Sequence, residues 1–453
     1  MEQTSRGNWT SRLGFILAAA GSAIGLGNIW RYPYVTGQNG GAAFVLVYLG
    51  CVLFIGVSVL IAELALGRHT TLNPVGAIKK ISSSRLWPGV GYLGVITGVG
   101  ILSFYLVVAG WTIGYLFKTA FHTGGTFAEF IHNPTIEIGY FTVFLLLTTL
   151  VVLGGVEKGI ERWSKILMPL LLLILVGLMV FSLTLEGAGK GVEFYLKPDF
   201  SKITGSTILA ALGQAFFSLS LGMGTMITYG SYLSKNESIP FSATAVAISD
   251  TTIAFLAGLV IFPALFSAGM DPAAGPGLVF NVLPTIFEKM PGGTIVGVFF
   301  FILLIIAALT STVSLLEVPV AFLVDQKKWS RKKAVWVITM ITFVMGLPSA
   351  LSQGTVDFLS TITLPHPNPS LPPLATGFLD IMNFLFGSFS LTIGGLLICI
   401  FVGWVWGAQK GAEELKIGAS PSAHWYIGLW QILIRFVSPV IILLVLLNLF
   451  GIV

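Results

Sequence analysis

Long apolar runs, separated by short polar connections, dominate the chain from residue 12 onward. Most runs are about 20 residues long or longer and lack the alternation of a membrane β-strand, so each predicts a membrane-spanning α-helix. The predicted fold class is therefore an all-α polytopic membrane protein, with a single domain covering 1–453. Eleven segments are predicted, at about 12–36, 41–67, 88–119, 138–154, 160–184, 205–234, 241–268, 292–323, 334–350, 375–406 and 425–450.

The first and sixth segments are interrupted near their middles by glycines and small polar residues. The first contains GSAIGLGN at 21–28, and the sixth contains SLSLGMG at 218–224. Helix-packing glycines would explain either run alone. Interruptions five segments apart instead favour a binding site in a 5+5 inverted repeat with discontinuous helices 1 and 6. The predicted repeats are about 12–184 and 205–406, followed by an extra helix at 425–450.

Interrupted membrane helices suit a particular pair of ligands. Unwinding one turn releases carbonyl oxygens and exposes the amides that begin the next half-helix. The carbonyls suit a dehydrated sodium ion, and the amides, at the positive end of the helix dipole, suit a carboxylate. Asn28, Ser218 and Ser220 add side-chain oxygens and donors. The two runs therefore predict a sodium ion bound beside a zwitterionic amino acid.

Composition and charge support a membrane location. Only 9% of residues are charged and 55% are hydrophobic, too little charge to cover a water-facing surface. Of the 24 basic residues, 17 fall on one side of the predicted topology and four in the opposite loops. The positive-inside rule then predicts a multi-pass cell-membrane protein with its N-terminus in the cytoplasm and its C-terminus outside. This bias explains the net charge of +5, so no nucleic-acid partner is expected.

Six local motifs are distinctive along the chain. They are Arg6-x-x-Trp9-x-x-Arg12, Gly25-Leu26-Gly27-Asn28-x-x-Arg31-x-Pro33, Asn39-Gly40-Gly41-Ala42-Ala43-Phe44, Glu63-x-x-x-Gly67-Arg68, Gln214-Ala215-Phe216-Phe217-Ser218-Leu219-Ser220 and Ala307-Ala308-Leu309-Thr310-Ser311. Together they closely resemble the neurotransmitter:sodium symporter family, and its bacterial branch most. The resemblance implies sodium-coupled symport of hydrophobic and aromatic L-amino acids by alternating access.

The resemblance implies a substrate pocket with an apolar lining. Tyr105 would hydrogen-bond the substrate carboxylate. Gly25 stands where monoamine carriers have an aspartate, and it leaves space for that carboxylate. Met223 adapts its shape, which predicts tolerance of several substrate sizes. The implied pocket residues are Ala23, Gly25, Gly27, Ile101, Tyr105, Phe217, Ser220, Met223, Ser311 and Leu315.

The resemblance also implies two sodium sites. For Thr310 and Ser311 the alternative is hydroxyl back-bonding within segment 8. Asp250 stands where most relatives have asparagine, so it would supply the negative charge that chloride supplies in animal relatives, and no chloride is expected. The first site would use Ala23, Asn28, Ser218 and Asp250, and the second Gly21, Ile24, Ala307, Thr310 and Ser311.

Two gates are implied in the same way. The outer gate arginine, Arg31, faces Asn383 where relatives have an acid, so Asp380 is considered as a substitute partner. The inner gate is expected to combine Arg6, Trp9, Tyr232 and Asp325.

Three other classes of function remain as alternatives. A channel would need a continuous polar stripe or charged rings, whereas the polar residues cluster near the membrane centre. An enzyme would need a metal motif or a nucleophile–base pair, and neither is recognised. A non-transporting membrane amino-acid sensor would keep the same binding site. Oligomeric state is not predicted.

Segment 5 contains a predicted hinge. Gly159 and Pro169 lie in a stretch that is too polar to be firmly helical, with Lys158, Glu161, Arg162 and Lys165. Proline leaves a carbonyl one turn earlier without a backbone donor. The hypothesis is that this stretch unwinds, hydrates the second sodium site from the cytoplasm and starts inward opening. The alternative is a simple proline kink.

The hinge hypothesis predicts that Pro169→Ala slows both substrate uptake and sodium release, because the restored hydrogen bond resists unwinding. Uptake in sodium-gradient proteoliposomes measures this effect. Normal transport and sodium release in the variant would contradict the hypothesis.

Overall fold

A computed structural model describes residues 7–272, 278–289, 292–364, 374–420, 424–450 and 452. Almost all of the regular structure is helical. The elements are α1 (Arg12–Ala23), α2 (Gly27–Gln38), α3 (Ala42–Thr70), α4 (Pro74–Ile81), α5 (Pro88–Phe121), α6 (Phe127–Ile131), α7 (Pro134–Leu153), α8 (Val156–Leu183), α9 (Ala188–Leu196), a 3₁₀ turn (Phe200–Lys202), α10 (Gly205–Ser218), α11 (Thr225–Gly230), α12 (Ile239–Ser267), α13 (Val282–Lys289), α14 (Gly293–Lys327), α15 (Arg331–Leu351), α16 (Asp357–Ser360), β1 (Ile362–Leu364), β2 (Leu374–Thr376), α17 (Phe378–Lys416) and α18 (Trp425–Asn448).

Nine helices of the described chain are long and apolar enough to cross a membrane, namely α3, α5, α7, α8, α12, α14, α15, α17 and α18. The pair α1 and α2 passes the same test as one span bent by 51°. The chain is therefore an all-α polytopic membrane protein, as predicted. Segment 205–234 forms the two short helices α10 and α11. That this segment crosses the membrane as an eleventh span therefore remains a prediction.

The two interruptions occur where the glycine runs predicted them. Between α1 and α2 the break covers Ile24 to Leu26, and between α10 and α11 it covers Leu219 to Gly224. Gly222 has φ of +83°, and a Cβ on it would lie 2.1 Å from the Leu391 carbonyl oxygen of α17. Only glycine fits both that conformation and that contact.

The broken helices surround a central pair. Helix α5 packs along α14. In the apolar 18-residue stretch that makes α5 long enough to span a membrane, 83% of the residues are buried inside the protein, whereas the corresponding stretch of α8 is 28% buried. Helix α5 therefore lies in the interior of the bundle, and α8 faces lipid. This arrangement places the middle of α5 next to the break between α1 and α2.

Two details differ from the sequence expectations. Segment 10 was expected to be helical from 375, but 374–376 pairs with 362–364 in an antiparallel ribbon and the helix runs from Phe378 to Lys416. The polar stretch of segment 5 is helical, with a π-type turn at Val156–Glu161. Its charges do not disrupt the helix because Glu161 pairs with Lys165 (2.6 Å) and accepts from the Thr10 backbone N–H (2.8 Å).

Candidate functional site

A narrow cavity of about 30 Å³ lies where the two breaks meet α5 and α14. Its lining includes Ser22 and Leu391, two residues that were not predicted for the pocket. Because the cavity holds roughly one water molecule, its side chains must move apart to admit an amino acid. Every residue of the implied substrate pocket lines it: Ala23, Gly25, Gly27, Ile101, Tyr105, Phe217, Ser220, Met223, Ser311 and Leu315.

One end of the cavity carries hydrogen-bond donors. The Leu26 amide N–H, freed by the break, donates to the Tyr105 hydroxyl at 2.8 Å. The Ser220 hydroxyl donates to the Ser22 carbonyl at 3.0 Å, which joins the second break to the last turn of α1. The amide and the phenol are the groups that an incoming carboxylate would find.

Glycine sets the width of that end. A Cβ on Gly25 would lie 2.4 Å from Ser311 Oγ and 2.7 Å from the Tyr105 hydroxyl. A Cβ on Gly27 would lie 2.8 Å from the Phe217 ring. Any side chain at either position would therefore occupy the space of the donors or of the ring.

The four residues of the first candidate sodium site lie around the break in α1 and α2, next to α12. Ser218 Oγ donates to Asp250 Oδ2 at 2.7 Å, and Asn28 Nδ2 donates to Asp250 Oδ1 at 2.7 Å and to Ser218 Oγ at 3.0 Å. Ala23, the last residue of α1, lines the adjoining cavity. The three polar side chains are fully buried. The Asp250 carboxylate and the Ser218 hydroxyl are oxygen ligands that fit a hard cation such as Na⁺. Asn28 faces them with its amide nitrogen, because its Oδ1 accepts from the Gly25 N–H at 3.0 Å, so its amide would have to turn to add an oxygen ligand.

The second candidate site lies between α1 and α14. Thr310 Oγ1 donates to Ala307 O at 3.0 Å and lies 3.5 Å from Ile24 O. Ser311 Oγ lies 3.3 Å from Ile24 O, and a Cβ on Gly21 would lie 3.2 Å from Thr310 Cβ. The Thr310 hydroxyl thus makes the hydrogen bond within its own helix that the alternative explanation predicts, and it also lies near the Ile24 carbonyl in the break. Hydroxyl and carbonyl oxygens from two helices converge here and fit an alkali cation.

The outer gate differs from the expectation. The Arg31 guanidinium lies 4.6 Å above the Phe217 ring, and its buried Nη1 has no hydrogen-bond partner. Asp380 instead accepts a hydrogen bond from Thr376 at 2.9 Å and is exposed, so the suggested Arg31–Asp380 pair does not form in this conformation. Asn383 Oδ1 lies against the next turn of its own helix at Gly387.

Three of the four inner-gate residues lie within the described chain, and Arg6 lies outside it. Trp9 Nε1 donates to Tyr229 O at 3.0 Å, and the Trp9 backbone N–H donates to Tyr232 O at 3.3 Å. Tyr232 donates to Glu317 Oε1 at 2.7 Å. Asp325 accepts from the Asn73 backbone N–H at 2.9 Å. The N-terminal segment is therefore tied to α11, with Tyr232 in turn bound to α14.

The predicted hinge residues lie in α8, and the helix passes close to the second candidate sodium site. A Cβ on Gly159 would lie 2.1 Å from Val151 O, so this turn packs tightly on the end of α7. Met168, the residue before Pro169, lies close to Gly21. A Cβ on Gly21 would lie 3.1 Å from the Met168 sulfur. Unwinding of α8 stays a prediction, but the helix is in contact with the site it would expose.

Two buried polar residues that hold the breaks in shape were missing from the expected site. Glu63 Oε1 accepts from the Gly222 N–H at 2.7 Å, and Gln214 Nε2 donates to Gly27 O at 2.9 Å. Glu63 was visible as an acid in an apolar segment, which usually marks function. Gln214 belongs to a quoted motif, but its partner in α2 is distant in sequence.

Comparison with known proteins agrees with this geometry. The sodium:neurotransmitter symporter family model matches residues 6–127 and 129–364. The uncharacterized sodium-dependent transporter YhdH of Bacillus subtilis (strain 168) is 40% identical over 98% of both chains. The serotonin transporter of Drosophila melanogaster is 27% identical over 97% of this chain and 76% of its own. The crystal structure of MhsT in complex with L-phenylalanine is similar with a TM-score of 0.88 and 45% identity, over 98% of this chain and 100% of that one.

The fold and these matches define a polytopic helical membrane transporter. The chain belongs to the sodium:neurotransmitter symporter family. It is thus a sodium-dependent transporter and not an enzyme, which confirms the resemblance noted in its motifs.

The glycine contacts predict that Gly25→Ala weakens binding of any amino acid that enters this cavity by about tenfold or more, with L-phenylalanine, the ligand of the MhsT structure, as the probe. Overpacking of a tight site costs roughly 1–3 kcal/mol, and the new methyl group meets Ser311 and Tyr105. Equilibrium binding of the radiolabelled amino acid to purified protein measures the loss. Gly98→Ala is the matched control, since a Cβ there meets nothing nearer than 3.8 Å. Equal affinities of the two variants would contradict the prediction.

Proposed function

We propose that this chain is a sodium-coupled symporter that moves hydrophobic and aromatic L-amino acids across the cell membrane by alternating access. The observation that carries the proposal is the cavity at the two helix breaks, which joins a polar end to an apolar one. The MhsT structure, 45% identical, is described as a complex with L-phenylalanine, which supports an amino acid of that kind.

In this proposal the substrate carboxylate lies at the break between α1 and α2, where the Leu26 amide and the Tyr105 hydroxyl donate to it. The substrate side chain lies among Ile101, Phe217 and Met223, with Leu315 on α14. An apolar side chain gains free energy there because it leaves water, whereas a charged one would be buried without a partner. The pocket therefore favours hydrophobic substrates.

Two sodium ions are proposed as co-transported cargo. One would lie at Asn28, Ser218 and Asp250, next to Ala23 at the substrate pocket. The other would lie between the Ile24 carbonyl and the hydroxyls of Thr310 and Ser311. Both sites share the break of α1 with the substrate, so each ligand stabilises the same arrangement of that break. Shared stabilisation of one conformation is the physical basis of coupling.

Alternating access would open this closed arrangement first at one end and then at the other. Outward opening would separate Arg31 and Phe217, and inward opening would release Trp9 and Tyr232. The proposed orientation, with the N-terminus in the cytoplasm, places the Trp9 end inside. The proposed inverted repeats, 12–184 and 205–406, would supply the two moving halves.

The proposal predicts sodium-driven accumulation of L-phenylalanine, L-leucine and L-tryptophan in proteoliposomes, and little uptake of L-aspartate or L-lysine. A radiolabelled panel with an inward sodium gradient tests it, with choline replacing sodium in a parallel series. Gly25→Ala vesicles are the negative control. Binding without uptake or counterflow would support a sensor instead. Non-saturating, gradient-independent flux would support a channel.

Chloride independence is proposed from the Asp250 carboxylate in the first sodium site. Wild-type uptake is expected to be unchanged when gluconate replaces chloride. Asp250→Asn is expected to raise the sodium concentration for half-maximal uptake by about tenfold or more, since contacts to a charged group are worth roughly 1.5–3 kcal/mol.

Glu137→Gln is the matched control for Asp250→Asn, because Glu137 is also a buried acid but pairs with Trp111 (3.0 Å) outside the candidate site. Loss of wild-type uptake without chloride would contradict the proposed role of Asp250.

A further inference from the structure

Arg435 is a cation placed on the lipid-facing side of a membrane helix. It is the eleventh residue of the 24-residue span α18 and is exposed. Its neighbours along the same stripe, Ile432 (56% exposed), Phe436 (54%) and Val440 (57%), are apolar and outward-facing. Within the described chain its guanidinium makes no ion pair or hydrogen bond, and its Cζ lies 5.3 Å from the centre of the Phe436 ring. A charge in this position requires an external counter-charge.

The usual direction of helical side chains indicates where the counter-charge lies. Helical side chains lean toward the N-terminus of their helix. Arg435 lies about 15 Å along the helix from Trp425, at 1.5 Å per residue. A long guanidinium side chain leaning that way shortens the distance to the headgroup layer at the α18 N-terminus. The charge bias of the loops makes this the cytoplasmic side.

Three polar residues, Arg435, Gln431 and Gln409, form a polar track that leads toward the headgroup layer at the α18 N-terminus. Gln431 lies one turn earlier on the same face, and its Nε2 donates to Gln409 Oε1 at 3.0 Å and to Ala408 O at 3.4 Å. This contact leaves the Nε2 donor of exposed Gln409 without an acceptor among the described residues. Guanidinium and amide donors in succession are suited to the oxygens of a phosphate.

The surface beside the track suits an acyl chain. Trp404 of α17 is 51% exposed and lies 6.3 Å, ring to ring, from Phe436 of α18. Gly403 lets the two helices approach, since a Cβ on it would lie 3.2 Å from the Arg435 Cα. The close crossing brings the aromatic surface of α17 next to the cation of α18.

We propose that this face of α17 and α18 binds an anionic phospholipid, with its phosphate at Arg435 and Gln409, Gln431 holding the Gln409 amide in place, and an acyl chain on Trp404 and Phe436. A second copy of the chain would need an exposed acid at the same depth. In the described spanning helices the acids near mid-span, such as Glu63, Asp250 and Glu317, are buried. The exposed acids Glu157, Asp380 and Glu413 lie close to helix ends.

The test is native mass spectrometry and thermal melting of the purified full chain in neutral detergent. Phosphatidylglycerol, phosphatidylcholine or inorganic phosphate is added at matched concentrations. Phosphatidylglycerol is expected to bind about fivefold more than phosphatidylcholine, the effect of roughly one interfacial cation, and to raise the melting temperature. Arg435→Leu is expected to remove this preference. Arg85→Leu, an equal charge loss in an exposed loop, is expected to retain it.

Arg435→Gln is the second variant if the leucine variant is unstable, and both are compared with wild type without lipid. A phosphatidylglycerol preference that survives both substitutions would overturn the proposal. So would stabilisation by inorganic phosphate alone. A wild-type dimer that either variant dissociates would assign the face to a second copy instead.

Discussion

Backbone polar groups inside a membrane must find partners within the protein, because hydrocarbon offers none. The two helix breaks of this chain release such groups at the centre of the bundle. Glu63 accepts from Gly222, Gln214 donates to Gly27, and the Tyr105 hydroxyl accepts from Leu26. Each of these partners comes from another part of the chain. The breaks are stable only because the surrounding helices satisfy them, and the candidate site lies among these same groups, including the Leu26 amide and the Tyr105 hydroxyl.

Close approach of helices is the second requirement of the site. A Cβ on Gly222 would lie 2.1 Å from Leu391 O, and one on Gly25 would lie 2.4 Å from Ser311 Oγ. These contacts bring α17 against one break and α14 against the other. The proposed substrate pocket and the proposed second sodium site then share Ser311, so binding at one would change the surroundings of the other. Coupling in the proposed mechanism follows from this shared side chain as much as from the break itself.

At the periphery of the bundle, as at its centre, a charged side chain within the membrane needs a partner. Asp250 is buried with Asn28 and Ser218 as hydrogen-bond donors. Arg435, by contrast, faces outward without an ion pair among the described residues, and its proposed counter-charge is a lipid phosphate. An internal acid and an external cation thus mark the two places where this transporter is proposed to bind a charged ligand.

Hydropathy and glycine placement determined the membrane class, most of the spans and both breaks from the sequence alone, because these features depend on neighbours along the chain. The predicted residues that line the cavity at the breaks followed from the family resemblance. Only the tertiary structure decided that Asp380 pairs with Thr376 and not Arg31, that 374–376 is a strand, and that Ser22 and Leu391 join the pocket. The partners of Glu63 and Gln214 were likewise decided there. Most of these contacts join residues far apart in sequence, and a packed bundle brings them together through shapes that no local pattern encodes.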